Sequence, residues 1–496
     1  LVKKYKGALS GEHGDGIVRS EFIPIVVGEK NYQLFKEIKS LFDPDGLFNP
    51  GKIVDSLAMD QNLRTQNKET PIHQTAFDFS ADQGLLRAVE KCNGAGKCRS
   101  TLPSGAMCPS YRATLDEKDN TRGRANVLRE VLTQDKKPNA FDSEELKAVF
   151  DLCLSCKACA TECPSSVDVA TYKAEFLYQY QKSNGSSLRD KLFAYYAKIN
   201  QLAQPIRGIQ NALFKQKTTK RLIASLLRIS TKRSFPVLDK ELYKSIKISN
   251  LRVLNKSVYL YLDEFSNYNE THIGKAAVAL LEGLGYQVNL LTPTESGRTY
   301  ISKGFLDQAK KCADRNVSLY SELITADTPL LGIEPSAIYT FQDEYPKLSS
   351  DPEAAKQLAP NCMLIETFIA NEIESGAIQS EQFHSDQKEI KIHSHCYQKA
   401  LGKPSETFQM LNLPKNYTVT LLNTGCCGMA GSFGYEKEHY DVSMKVGEER
   451  LFPAVRKTRP ETLIAANGTS CRHQILDGTG KVSLHPISIL HEALIK

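Results

Sequence analysis

One cysteine motif constrains this chain more than any other feature of its sequence. The stretch from Cys153 to Pro164, CLSCKACATECP, has the spacing C-x2-C-x2-C-x3-C-P. Three thiolates at two-residue gaps let one tight loop hold three corners of a cubane, and the fourth cysteine, before proline, binds the other cluster in two-cluster ferredoxins. Buried free thiols need no such spacing. The motif therefore predicts at least one 4Fe–4S cluster.

A second, incomplete motif lies upstream. Cys92 and Cys98 have the outer spacing of C-x2-C-x2-C, with Ala95 in the middle slot, and Cys108-Pro109 then repeats the Cys-Pro signature. If each turned-away cysteine serves the other cluster, a complete site is formed by Cys153, Cys156, Cys159 and Cys108. The other site holds Cys92, Cys98 and Cys163, one thiolate short. Three outcomes are open there: a 3Fe–4S cluster, a 4Fe–4S cluster with a non-cysteine ligand, or no cluster.

A third group of cysteines comprises Cys396, Cys426, Cys427 and Cys471. Adjacent cysteines do not easily bridge each other, and a Cys-Cys-Gly turn between α/β elements indicates soft-metal ligation. An iron–sulfur cluster, tetrahedral zinc and unmetallated redox thiols all remain open with four thiolates. His395 and His473 suit packing beside this site better than ligation. Cys312 and Cys362 are interpreted as ordinary thiols.

The thirteen cysteines are grouped at ligand spacing, with seven of them between Cys92 and Cys163. No secretory signal opens the chain, so metal in a reducing compartment is favoured over disulfides. No apolar run reaches the roughly 18 residues that indicate a membrane span. The net charge of +6 is mild and does not by itself indicate nucleic acid. We therefore predict a cytoplasmic protein, either free or peripheral on the inner membrane face.

The pattern of elements predicts a multidomain protein of α+β and α/β class. The predicted segments are a short block at 1–58, a polar linker at 59–84, a helical cysteine-rich module at 85–182, a basic helical connector at 183–250, and two α/β units at 251–350 and 351–496. The two α/β units repeat one order of strands and turns. Only the second keeps its cysteines, since Glu295-Ser296 stands for Cys426-Cys427 and Ala337 for Cys471. We interpret this as a duplication in which one site lost its ligands.

The basic connector allows two interpretations. Residues 188–235 contain eleven Lys or Arg and one Asp. These charges either solvate helix faces, the commoner case, or hold the protein on an anionic membrane surface. Near the start of the chain, Glu12 and His13 lie between glycines. That arrangement suits a histidine base or a carboxylate that binds a divalent metal, although a surface Glu-His pair in a turn is more common.

Together these motifs resemble one family of flavoproteins. Residues 10–16 and 49–52 are similar to the end of the FAD-linked oxidase C-terminal domain of D-lactate, glycolate and D-2-hydroxyglutarate dehydrogenases. The cysteine-rich module, residues 121–124 and residues 426–434 resemble the ferredoxin-like and CCG-type domains that follow in fused forms. The resemblance implies that 1–58 ends the oxidase domain, 85–182 is a 4Fe–4S ferredoxin-like domain, 251–350 a degenerate CCG-type repeat and 351–496 an intact one.

The resemblance further implies an FAD- and iron–sulfur-dependent oxidoreductase acting on the CH–OH group of a 2-hydroxy acid. Glu12 matches the family's carboxylate metal ligand and His13 its substrate-facing base, whereas the family's metal-binding histidines and its flavin domain are not in this chain. We expect the implied partners to be the FAD domain of the same polypeptide, the 2-hydroxy acid, and a quinone or electron-transfer protein as acceptor. Without the flavin domain, we expect the chain to oxidise nothing by itself.

Two other function classes compete with this one. The first is a non-enzymatic iron–sulfur or zinc protein, either a redox sensor or a scaffold, which would not need the Glu12-His13 block. The second is a nucleic-acid-binding protein, against which the sequence shows no nucleic-acid motif and few aromatics within its basic stretch. We therefore predict no nucleic-acid partner.

Overall fold

The computed structural model describes residues 1–63, 71–102, 104–134, 137–246 and 256–495. The chain divides after residue 70 into two units, and each is described by itself. Within the described ranges, none of the helices has both the length and the apolar composition needed to cross a membrane.

The first unit is helical. Its helices are α1 Gly16–Arg19, α2 Ile23–Val27 and α3 Glu29–Phe42. A small core forms where Ile23 and Tyr32 are buried with Val54. Helix α3 ends at Phe42, after which the Asp43 carboxylate accepts the backbone N–H groups of Leu47 and Phe48, both at 2.9 Å.

The cysteine-rich module is a group of short helices. They are α4 Leu85–Glu90, α5 Pro109–Thr114, α6 Thr121–Gln134, α7 Glu144–Asp151, α8 Ala158–Glu162 and α9 Val169–Asn184. Side-chain caps fix two of them, since Ser143 accepts from the N–H of Leu146 and Asp168 from that of Thr171. Phe150 and Phe176 stack at 5.3 Å in the core. These helices leave most of the cysteines on or beside the loops between them.

The predicted linker at 59–84 is only partly a linker in the structure; residues 64–70 lie outside the described ranges. Phe77 and Phe79 are buried in the core of the cysteine-rich module. The Glu175 carboxylate accepts the N–H groups of Ala76 and Phe77, each at 3.0 Å. The segment from Ala76 onward therefore belongs to the module, and its polar flanks concealed the two buried aromatic residues in the sequence.

The basic connector also folds into helices. These are α10 Leu188–Ala194, α11 Tyr196–Leu202, α12 Arg207–Lys215 and α13 Lys217–Leu226. An irregular segment follows, and Arg233 within it is fully buried. This arginine contacts the last α/β unit, so the connector is attached to that unit by a buried cation.

The first α/β unit has a parallel sheet in the order β2-β1-β3-β4. Its elements are β1 Ser257–Tyr261, α14 Thr271–Gly283, β2 Gln287–Leu290, α15 Arg298–Ser302, α16 Leu306–Tyr320, β3 Leu330–Gly332, α17 Pro335–Asp343, α18 Tyr345–Leu348, α19 Pro352–Leu358, β4 Cys362–Leu364 and α20 Ile365–Glu374. Since β4 pairs with β3, the unit extends past the predicted boundary at 350/351, which is wrong in position. The repeat pattern did not reveal β4 because its counterpart in the second unit is reduced to a single parallel bridge between Ala465 and Leu484.

The second α/β unit has a parallel sheet in the order β6-β5-β7. Its elements are β5 Lys388–His393, α21 Cys396–Leu401, α22 Pro404–Leu411, β6 Tyr417–Leu421, α23 Tyr440–Arg456, β7 Leu463–Ala466, α24 Thr469–Thr479 and α25 Pro486–Ala493. In both sheets the first strand in sequence lies between two later ones. In open parallel sheets of this kind, ligands bind beyond the carboxyl ends of the strands.

Candidate iron–sulfur and metal centres

The loop between α7 and α8 brings three of the predicted ligands together. Ser155 and Lys157 take left-handed backbone conformations, with φ of 50° and 62°, and this turns the loop tightly around Cys156. The negative charge of Cys153 acts on both Cys156 and Cys159 and helps burial to raise their pKa values.

The buried Lys157 fastens this loop to the first α/β unit. Its ammonium pairs with Asp343 at the end of α17 and with Glu344, the next residue along the chain. Burial opposes the charge, but Asp168 together with these two carboxylates holds the pKa of Lys157 well above its ordinary value. The cation in the cluster loop is therefore retained.

Cys108 reaches this loop from the other motif. It lies close enough to Cys159 that its charge raises the pKa of that thiol. The segment before Cys108 is positioned by Glu162, whose carboxylate accepts the N–H groups of Ala106 at 2.7 Å and Met107 at 3.1 Å. Because Glu162 immediately precedes Cys163, one side chain connects the two motifs. The predicted complete set thus lies in one place.

Backbone donors point at the sulfur atoms of this region. The N–H of Thr121 donates to the Cys108 sulfur at 3.2 Å, and that of Ala158 donates to Cys156. A thiolate accepts such bonds far better than a neutral thiol. Burial nevertheless raises the pKa of Cys108 to about 11, partly offset by the hydrogen bond from Thr121. Only a positive ion in the pocket would hold several buried thiolates together, so the donor set fits an iron–sulfur cluster.

The second predicted set also assembles. Burial raises the pKa of Cys98, and the nearby thiolates of Cys92 and Cys163 raise it further. Ala95 is exposed, and its N–H donates to the Asn93 side chain at 3.0 Å. The three thiols are therefore neighbours with no thiol at position 95. The three outcomes open for this site stay open.

The third set lies beyond the carboxyl ends of three adjacent strands. Cys396 follows β5, Cys426 and Cys427 follow β6, and Cys471 follows β7. The Cys426 thiol is within hydrogen-bonding reach of Cys396, and hydrogen bonds from Cys426 and Cys471 lower the pKa of Cys427. All four thiols are buried. Parallel topology therefore brings together cysteines that are distant in sequence.

His393 is a member of this cluster that is close to Cys396 in sequence but to which the sequence assigned no role. Ligand atoms of His393, Cys427 and Cys471 all lie within 4.8 Å of one another. The ring's Nδ1 is 2.7 Å from the Thr424 hydroxyl, while its Nε2 is buried without a hydrogen-bond partner in the described part of the chain. An orphaned imidazole nitrogen beside two thiols suits a metal ion. Its place at the end of β5 was the available signal.

The Cys-Cys-Gly turn depends on its glycine. Gly428 has φ of 93°, and a Cβ atom there would lie 2.2 Å from the Ser443 carbonyl oxygen. Beneath the turn, the Lys399 ammonium donates to the Gly425 carbonyl at 2.7 Å. Burial lowers the pKa of this lysine, and the adjacent thiols oppose that shift.

Among the described residues, the two other histidines near this site do not belong to that group of potential metal ligands. His395 caps α21, where its Nδ1 accepts the N–H of Tyr397 at 3.2 Å. Burial lowers the pKa of His395 to about 4, so the ring is neutral near pH 7. Burial also lowers the pKa of His473. Both side chains line a large cavity beside the cysteines.

This cavity, of about 550 Å³, lies between the first and third cysteine sets. Cys153 and Cys156 line one side, and the other side is lined by Cys396, Cys426 and Cys427. Its walls also contain aromatic residues, among them Phe193, Tyr196, Phe265 and Phe433. A small molecule in this cavity would lie next to both sets. Pockets of this size and mixed lining are the usual sites for organic ligands.

His439 spans the wall of this cavity. Its Nε2 lies 2.9 Å from Asp151 of α7, its Nδ1 lies 3.1 Å from Glu436, and its ring stacks on Phe433 at 4.4 Å. Burial alone would lower the pKa of His439, but the two carboxylates outweigh it and raise the pKa to about 8. The histidine therefore links the cysteine-rich module to the last α/β unit.

This link should depend on pH. The folded pKa lies above the ordinary value of 6.5, so the stabilisation is fully present below about pH 6.5 and is lost as the pH rises through about 8. We expect the free energy of unfolding to fall by up to about 2 kcal/mol across this range, relative to the His439→Gln variant. Denaturant unfolding at several pH values measures the difference. A variant of the exposed His272 serves as control, and equal pH profiles for wild type and His439→Gln would contradict the expectation.

Glu12 and His13 lie in the first unit on an exposed turn. Their side chains are 85% and 82% exposed, and the two contact each other at 3.0 Å between Nε2 and Oε1. Among the described residues they take part in no group of metal-ligating side chains. Their predicted roles as metal ligand and base stay predictions.

The first α/β unit shows what occupies the corresponding positions there. Tyr261 pairs with Gly332 as His393 pairs with Ala466, and counting from these pairs places Glu264 at the position of Cys396. The predicted correspondence places Ser296 at the position of Cys427. The Ser296 hydroxyl donates to Glu264 at 2.7 Å. A buried hydroxyl–carboxylate hydrogen bond thus stands where the other unit has thiols.

Comparison with known proteins identifies two of these regions. Residues 1–53 match the family model described as FAD linked oxidases, C-terminal domain, and residues 88–167 match the 4Fe-4S dicluster domain. D-2-hydroxyglutarate dehydrogenase of Pseudomonas putida is 27% identical over 99% of this chain and 52% of its own length. The enzyme of the same name from Escherichia coli is 27% identical over 100% and 52%, respectively. The glycolate oxidase iron-sulfur subunit of Escherichia coli is 24% identical over 88% and 100%.

The resemblance to fused FAD-linked oxidase and ferredoxin proteins is thereby confirmed. The chain contains a 4Fe-4S dicluster domain and a match to the C-terminal domain of FAD-linked oxidases, so 4Fe–4S and FAD are the cofactors that these domains indicate. It is homologous to oxidoreductases of this type. The chain spans about half the length of the D-2-hydroxyglutarate dehydrogenases that it matches.

Proposed function

We propose that this chain is the electron-carrying portion of an FAD-dependent D-2-hydroxy acid dehydrogenase, which passes electrons from the flavin to an external acceptor. The observation that carries the proposal is the junction of two cysteine sets. Cys156 of the first set packs with Cys396 and Cys426 of the third in one buried cluster, together with Leu154 and Phe433. A sensor or scaffold protein does not need two redox-competent sites in contact.

Each site has assigned residues in this proposal. Bound clusters supply one-electron transfer, which couples a two-electron flavin to one-electron acceptors. The first cluster is held by Cys108, Cys153, Cys156 and Cys159, and the second site by Cys92, Cys98 and Cys163. The third, with iron–sulfur or zinc, is held by Cys396, Cys426, Cys427, Cys471 and His393. The buried Lys157 and the partly buried Lys399 hold the loops that carry these thiols.

The substrate in this proposal is a 2-hydroxy acid of the D-2-hydroxyglutarate or D-lactate class. The names of the relatives support this class, as does the match of residues 1–53 to the oxidase domain. Glu12 and His13 then serve as metal ligand and base once the flavin domain is present. The acceptor, a quinone or an electron-transfer protein, takes its electrons at the cavity between the first and third sets.

The test begins with iron, acid-labile sulfide and zinc per chain after anaerobic purification. We expect about eight or more irons with matching sulfide and an EPR signal of a reduced 4Fe–4S cluster. Photoreduced flavin is then titrated into the chain, and a one-electron dye is added to the reduced sample. Reduction by flavin followed by rapid reoxidation by the dye supports electron transfer.

The control for this titration is matched to the junction. In Cys396→Ala the first cluster should still accept electrons from flavin, but electron delivery from the chain to the dye should slow about tenfold or more. A tenfold change in rate corresponds to only ~1.4 kcal/mol in the activation barrier. Replacement of the buried Cys362, which lies in β4 and belongs to none of the three sets, should change neither step. A chain with one zinc and no iron, or one that flavin cannot reduce, would overturn the proposal.

A further inference from the structure

The connector helices carry their apolar side chains on the outside. Exposed fractions of 42–79% are found along α11 to α13 for Leu202, Ile206, Ile209, Leu213, Leu222 and Leu226. Leu202 ends α11 and Ile206 immediately precedes α12, whereas Ile209 and Leu213 are four residues apart within α12 and Leu222 and Leu226 are four apart within α13. This spacing places each pair on one face of a helix. Two neighbouring helices therefore present apolar stripes to solvent.

The face of α12 and α13 that packs against the protein carries polar and small residues, whereas the inward face of an amphipathic helix is usually apolar. Asn211 donates to the Leu238 carbonyl at 2.8 Å and accepts the Leu238 N–H at 2.9 Å. The small residue Ala224 is the buried member of α13. A helix that serves only the protein's core would bury its leucines and expose its asparagine. The apolar face of α12 and α13 thus suits a contact outside the chain.

The charge around these stripes has one sign. No acidic residue occurs between Asp190 and Asp239 in the sequence. The exposed cations of the segment include Arg207, Lys215, Lys217, Arg221 and Arg228. Across the described ranges, no carboxylate lies within salt-bridge distance of any of these five. Their charge therefore remains available to an external anion.

We propose that α12 and α13 dock this protein on an anionic lipid bilayer. The leucine stripes enter the boundary between headgroups and acyl chains, and the flanking Lys and Arg side chains contact lipid phosphates. Helices that lie in the interface need no spanning length, in agreement with the absence of a spanning helix among the described residues. The inference does not depend on the proposed electron-transfer function.

The sequence offers a direct reporter, because it contains no tryptophan. Single tryptophans are introduced at Leu226 of α13 and, as a matched control, at Leu319, an exposed leucine of α16. Vesicles of phosphatidylglycerol mixed with phosphatidylcholine should shift the emission of Leu226→Trp to shorter wavelength and protect it from a soluble quencher. Neutral phosphatidylcholine vesicles, and Leu319→Trp with either lipid, should show no shift.

Two further variants separate the lipid from other occupants of this face. Leu222→Glu with Leu226→Glu should abolish co-flotation with anionic vesicles, and Lys217→Glu should lower the partition coefficient several-fold, in a salt-dependent manner. Iron content, which these exposed positions should not affect, checks that each variant is folded. No shift and no flotation of the full chain would overturn the proposal. So would a dimer in solution that Leu222→Glu dissociates while vesicles remain unbound.

Discussion

Replacing Cys108 by alanine is expected to remove the cluster of the Cys153–Cys159 loop, although that loop keeps all its own cysteines. Cys108 lies beside Cys159, and the Thr121 N–H that donates to its sulfur positions it there. Loss of one thiolate of four leaves an incomplete site, and we expect about four irons fewer per chain. The reduced 4Fe–4S EPR signal should disappear with them.

Cys163→Ala is the matched comparison, because Cys163 belongs to the same sequence motif as the loop. Its neighbours in the structure are Cys92 and Cys98. The 4Fe–4S signal should therefore survive in Cys163→Ala, while any 3Fe–4S signal of the second site is lost. Cys312→Ala should leave both unchanged. If Cys163→Ala abolished the 4Fe–4S signal and Cys108→Ala preserved it, each motif would be binding its own cluster.

Arg233→Met is expected to give the largest loss of stability. The guanidinium is fully buried and donates to the Gly434 carbonyl at 2.7 Å, the Gln474 side chain at 2.6 Å and the Ser443 hydroxyl at 2.8 Å. It also pairs with Asp477 at 3.2 Å. Removing one partner of a buried ion pair leaves the other uncompensated and costs about 3–5 kcal/mol.

Denaturant unfolding followed by circular dichroism measures this loss. Arg207→Met removes an equally charged but exposed side chain, and we expect a change within about 0.5 kcal/mol. Gly434 lies shortly after the Cys-Cys-Gly turn, so Arg233→Met should also lower the metal content of the third site. A stability equal to that of Arg207→Met would mean that the loss of the buried cation is compensated by relaxation or water.

The cluster ligands could be proposed from sequence because their spacing is local. The loop from Cys153 to Cys159 fixes its own geometry, and the rule for the cysteine before proline points to Cys108. The starts of α7 and α9 also follow from local signals, the Ser143 and Asp168 caps. Sequence analysis was sufficient wherever neighbouring residues along the chain determine the local structure.

The features that the sequence missed or left without a role depend on distant partners. His393 joins Cys427 and Cys471 only because β5 lies between β6 and β7. Phe77 is buried because α9 presents Glu175 to its backbone. The cavity has walls from the cysteine-rich module, the connector and both α/β units. Hydrophobic periodicity within one segment does not reveal contacts between distant segments, and neither does secondary-structure propensity.

The hydrogen bond between Ser296 and Glu264 indicates that the two α/β units have different functions. If both units descend from one ancestor, the second unit retained the metal-binding thiols and the first unit lost them. The first unit still binds Lys157 through Asp343 and Glu344, and Lys157 lies inside the cluster loop. Gene duplication would thus have turned a second redox module into a mechanical support. Selection on that copy would then act on its shape and its anchoring carboxylates, and no longer on its capacity to bind metal.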